Sequence, residues 1–105
     1  MRSVPLIVAS VAGLLTAVSV MGQPSAPNVA RSLAATCANC HGTNGAAVAG
    51  SGVTSLAGLD KAYTIAQMKA FKTGTRPATV MHQISKGYSD AQIDVLATYF
   101  AAQKK

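Results

Sequence analysis

The run Cys37-Ala38-Asn39-Cys40-His41 constrains this chain more than any other feature. It puts both cysteines, and one of only two histidines, within a single helical turn. Side chains three apart on a helix share a face, and the next residue adds an imidazole beside the two thiols. Several chemistries use such a cluster. An iron–sulfur cluster needs about four cysteines, and only two are present. A zinc site would have to recruit Cys37, Cys40, His41 and the remote His82, and the adjacent Cys40 and His41 could join one tetrahedron only with strain. A thioredoxin-like dithiol or a Cys37–Cys40 disulfide expects a βαβ setting, and no alternating strand pattern appears. The reading that uses all five residues is C-x-x-C-H, the attachment motif for one covalent haem c: Cys37 and Cys40 each form a thioether, and His41 is the iron's proximal ligand.

Size points the same way. Arg2 gives a short positive start, Val4 to Met21 is an apolar run, and no charge follows until Arg31. This is the layout of a secretory signal peptide over residues 1–22, with cleavage between Gly22 and Gln23, and it implies an exported, periplasmic protein with no membrane insertion once the leader is removed. The competing reading keeps the run as a membrane anchor of borderline length. A lipoprotein signal would need a cysteine directly after the run, and the first is Cys37. What remains is small enough for an ordinary core to be marginal. Its aromatic residues are only Tyr63, Phe71, Tyr88, Tyr99 and Phe100, without tryptophan, so a buried prosthetic group would fill an interior short of large side chains. Nine basic residues against three acidic ones give a net charge of +6. They are scattered and not interleaved with aromatics, which argues against nucleic-acid binding and fits steering toward an acidic redox partner.

Residues 23–28 read as a flexible lead-in and 29–105 as a single mono-haem domain. Asn28 is a candidate N-cap for a helix from Val29. Gly42 to Gly58 has no clear period and reads as a long loop, a length that is unusual unless it packs on something functional. Asp60 is a good N-cap for a second helix, with Ile65, Met68 and Phe71 spaced three apart before Gly74 ends it. Arg76-Pro77 opens a new segment, Thr79 to Lys86 suits one or two helical turns, and Gly87 stops them. Ser89 with Gln92 forms a capping box ahead of Ile93, Leu96, Ala97 and Phe100. The fold class is all-α, three to four helices with long loops wrapped around one haem.

The second axial ligand is open between two neighbours. Met68 lies in a helical apolar stripe, where methionine is usually core filler. Met81 follows Pro77 in a segment between helices, where a thioether could reach iron across from His41. His82 is its competitor, with a plain surface residue as its other reading. Arg76 is either a partner for a haem propionate or one more solvated charge.

Residues 31–103 resemble the small class I cytochromes c. Within them, Ser55-Leu56-Ala57-Gly58-Leu59, the stretch from Gln67 to Met81 with Arg76-Pro77-Ala78-Thr79-Val80-Met81, and Lys86-Gly87-Tyr88-Ser89-Asp90 are similar to the cytochrome subunit of flavocytochrome c sulfide dehydrogenase. The resemblance implies a periplasmic electron-transfer subunit without catalysis of its own. Its partner would be an FAD-containing sulfide dehydrogenase subunit in a heterodimer, and a downstream cytochrome or oxidase would take the electrons. It implies Cys37 and Cys40 as haem attachment, with His41 and Met81 as iron ligands. Thr54 stands where related cytochromes often have proline, in the loop whose backbone carbonyl commonly accepts the proximal histidine N–H. The competing functions are a free cytochrome shuttle and, from another class, a haem-free thiol or metal-handling protein.

Overall fold

The computed structural model describes Gly22 and residues 25–105. The expected leader over residues 1–22 lies, apart from Gly22, outside the described residues. Five α-helical segments follow in order, with no strand among the described residues: α1 Ala26–Ala35, α2 Ala38–His41, α3 Lys61–Thr73, α4 Met81–Lys86 and α5 Asp90–Ala101. None of them is long and apolar enough to cross a membrane. The count exceeds the three to four helices expected because α2, the single turn that carries the cysteines, forms a helix of its own.

Local sequence explains most boundaries. α1 begins inside the segment expected as a lead-in, because Pro27 sits in its first turn. Proline there gives up an N–H that has no intrahelical partner anyway, and its fixed φ suits the helix. The Ser25 carbonyl accepts from the Asn28 and Val29 amides at 2.9 and 3.1 Å, so Asn28 lies within the helix and does not cap it. In α3 the Asp60 carboxylate accepts from the Tyr63 amide at 2.8 Å. Gly74, left-handed at φ 80°, ends that helix. α5 carries the full capping box: Ser89 Oγ accepts from the Gln92 amide at 3.1 Å, and Gln92 Oε1 accepts from the Ser89 amide at 2.9 Å.

The core forms where α1 meets α5. Ala34, Leu96 and Phe100 make its centre, with Leu33, Cys37, Leu56, Tyr88 and Tyr99 packed around them. Ile93 and Ala97 are fully buried on α5. α3 packs on both α4 and α5, and α2 packs on α1. The stripe Ile65, Met68 and Phe71 is only half-buried, and Thr64 is the one buried residue of α3. Steps of three residues fall short of a full turn by about 60° each, so this stripe winds around the helix and never forms one core face.

Candidate functional site

The CANCH turn is built by the chain immediately before and after it. Cys37 ends the run from α1, and its carbonyl accepts from the Cys40 and His41 amides at 3.3 and 2.9 Å. The two cysteines and His41 thus share one turn. Neither cysteine is in a disulfide. Cys37 is half-buried against the core, and this burial pushes its thiol pKa up, only partly offset by a hydrogen bond with Thr36. Cys40 is exposed.

His41 is the most constrained residue of the group. Its Nδ1 lies 2.6 Å from the Thr54 carbonyl oxygen. A carbonyl can only accept, so Nδ1 carries the proton and Nε2 keeps the lone pair that a metal would take. An outer hydrogen bond of this kind fixes the ring and raises its basicity as a ligand.

What fixes Thr54 is a network that begins directly after His41. Gly42 turns the chain at φ 80°, where a Cβ would lie 1.9 Å from the Ala46 carbonyl oxygen. The Gly45 carbonyl then accepts three bonds, from the Leu56 amide at 2.8 Å, the Ala57 amide at 3.1 Å and Ser55 Oγ at 2.8 Å. Asn44, held at φ 54°, accepts through Oδ1 from the Tyr99 hydroxyl at 2.8 Å. The Gly58 amide donates to the Phe100 carbonyl at 2.8 Å. The loop expected from Gly42 to Gly58 is therefore irregular but tied to itself and to α5. Its order does not depend on proline at position 54.

Met81 and His82 open α4. Met81 is half-buried and flanked by the exposed apolar Val80 and Ile84. His82 is no plain surface residue: it is half-buried, and its Nδ1 is enclosed without a hydrogen-bond partner. His41 and Met81 come from separate packing units, α2 against α1 and α4 against α3. Arg76 is neither loose nor fully solvated, because its guanidinium lies 4.6 Å over the Phe71 ring and donates to Gln67 Oε1. The sequence pattern held no signal for that contact, for the Gly45 carbonyl or for the Asn44–Tyr99 bond.

The donor set fits a covalent haem. Two unpaired thiols share a turn with an imidazole whose far nitrogen is already bonded, and a thioether stands on a separate helix. The four zinc donors considered above are not gathered. Among the described residues no three His, Cys, Asp or Glu side chains form a group able to hold a metal.

An all-helical fold with a C-x-x-C-H turn, whose histidine is hydrogen-bonded through Nδ1 to a backbone carbonyl, has the make-up of a small haem-bearing electron carrier. The cytochrome c family model matches residues 28–104, and the chain belongs to that family of covalent-haem, electron-transfer proteins. It is 39% identical over 71 residues to the thiosulfate dehydrogenase electron acceptor of Thiomonas intermedia, covering 68% of this chain and 33% of that one. A protein of the same description from Stutzerimonas stutzeri is 35% identical over 66 residues, covering 63% and 31%. The chain thus spans about a third of the length of these two relatives. The cytochrome subunit of sulfide dehydrogenase of Chlorobaculum tepidum is 33% identical over 109 aligned residues, covering 100% of this chain and 96% of that subunit.

Proposed function

We propose that this chain is the exported cytochrome subunit of a flavoprotein sulfide dehydrogenase. In this reading it accepts electrons from an FAD-containing partner in the periplasm and hands them to a downstream cytochrome or oxidase. The observation that carries the reading is the likeness to a sulfide dehydrogenase cytochrome subunit along the whole of both chains. Matches to the thiosulfate dehydrogenase acceptors leave most of those proteins uncovered and weigh less.

Haem, when bound, supplies a one-electron couple. Cys37 and Cys40 would hold it covalently, and His41 through Nε2 and Met81 through its thioether would be its iron ligands. The Thr54 carbonyl keeps His41 in one tautomer and one orientation, so little rearrangement accompanies a change of charge at the site. Met81 offers a soft thioether that favours the reduced state and raises the potential. The chain's part in this reading is to carry electrons between its partners. Residues 1–22 act as the leader and are removed.

A second reading puts His82 on the iron, favoured by its enclosed and unpartnered Nδ1. Both are decided by producing the protein with haem-maturation machinery and recording intact mass and visible spectra. Covalent haem on a chain beginning at Gln23 is expected, with a long-wavelength ferric band typical of Met–iron ligation that Met81→Ala abolishes. A band unaffected by Met81→Ala, or a spectrum of two imidazoles lost in His82→Ala, refutes Met81 as ligand. Co-expression with an FAD-containing sulfide dehydrogenase subunit should yield a flavin-containing complex; a cytochrome that elutes alone supports the free shuttle.

A further inference from the structure

α4 is only six residues long, and its N-cap, Val80, makes no side-chain capping bond. It packs on α3 with Ser85 fully buried, and both ends of the segment are tied to α3 as well. At the exit, Lys72 Nζ on α3 donates to the Tyr88 carbonyl at 2.6 Å. At the entrance, Arg76 is fixed three times over. Its amide donates to the Ala70 carbonyl at 3.1 Å, its guanidinium donates to Gln67 Oε1, and the same guanidinium lies over Phe71. All three partners belong to α3. Pro77 follows with its φ fixed by the ring, and only Ala78, Thr79 and Val80 then separate it from Met81.

We propose that Arg76, gripped by Gln67 and Phe71, is a positioning residue for Met81: it fixes the point from which the chain is launched toward the distal side of the site. This rests on Met81 being the distal ligand. The guanidinium suits the task because its planar fork can stack on a ring and donate in-plane at once, which an ammonium cannot do. A thioether is a weak ligand to ferric iron, so any slack in its mooring appears as easier displacement by a competing base.

The test is an imidazole titration of the ferric holoprotein, followed by the long-wavelength band and the Soret shift. Arg76→Ala is expected to bind imidazole about tenfold more tightly than the parent, and Gln67→Ala to shift in the same direction. Arg76→Lys, which keeps a cation near Phe71 but loses the fork, should fall between. Gly50→Ala, which strains the backbone at φ 78° in a loop with nothing within 4 Å of the added Cβ, should leave the affinity within about twofold of the parent if the effect is one of positioning. Arg76→Ala within about twofold of the parent, or Gly50→Ala matching Arg76→Ala, overturns the proposal. Should the band survive Met81→Ala, the ligand assignment fails and the clamp with it. A band lost in Met81→Ala but an unchanged affinity in Arg76→Ala sinks the clamp alone.

Discussion

Replacing Gly45 with alanine strikes the residue on which the His41 side of the site depends. Gly45 adopts φ 79°, and a Cβ built there would lie 2.7 Å from Phe100 Cδ1 and 2.9 Å from Leu56 Cβ. Holding a non-glycine residue in the left-handed region costs about 1–2 kcal/mol. Forcing a methyl group into a packed core adds about 1–3 kcal/mol. The sum, about 2–5 kcal/mol, corresponds to a melting temperature lower by about 8–40 °C for a domain of this size. Gly50 provides the control, since it has φ 78° but nothing within 4 Å of an added Cβ. Gly50→Ala should carry the backbone cost alone. Thermal unfolding of the ferric holoproteins by circular dichroism separates the two. If Gly45→Ala and Gly50→Ala melt together, the packing contribution assigned to Phe100 and Leu56 is wrong; if Gly45→Ala melts with the parent, the backbone contribution is wrong as well.

Ser89→Ala removes one half of the capping box and should cost about 1 kcal/mol, read as a melting temperature lower by about 4–8 °C. Asp90 has its carboxyl held below the usual range by a hydrogen bond from Lys69, the charge of Lys69 and then that of Lys72. A lowered native pKa means that the stabilisation is complete above the ordinary carboxylate range and disappears as the pH falls through the lowered value. Melting curves from neutral into acid should therefore fall less steeply for Asp90→Asn than for the parent, and added salt should shrink the difference because the group is fully exposed. Thr54→Pro keeps the carbonyl that accepts from His41 and should leave the visible spectrum and reduction potential unchanged; a shifted potential would show that the Thr54 side chain or amide matters.

How much of this could be read in advance follows from where each signal resides. The Asp60 cap, the Gly74 stop and the Ser89–Gln92 box are written within four residues of the element they bound, and they appear where expected. The start of α1 was misplaced because Asn28 is a good capping residue, whereas Pro27 just before it is a better first-turn residue. Cys37, Cys40 and His41 were recognisable because thioether attachment demands that spacing. The partner of His41 is a main-chain oxygen, and every residue has one, so only the resemblance pointed to that loop. The contacts of Arg76 were not legible for a related reason. Its partners Gln67 and Phe71 come from the preceding helix, and only the bend at Gly74 returns the chain to them. His82 could be either a competing iron ligand or a plain surface residue on sequence alone, and its half-burial with an enclosed Nδ1 comes from how α4 packs, which its sequence neighbours do not reveal.

The meeting of α1 with α5 also bears on how the chain comes together. Ala34 and Phe100 belong to one cluster, so the core closes a loop of about 66 residues, an entropic cost on the order of 4 kcal/mol. Cys37 packs on that cluster, which places one of the two thiols proposed to bear haem on the seam where the chain's two halves are sewn shut. A tether there fastens the cargo and the seam with the same stitch: whatever pries α1 from α5 also loosens the haem's footing, and a haem bonded at Cys37 resists the prying.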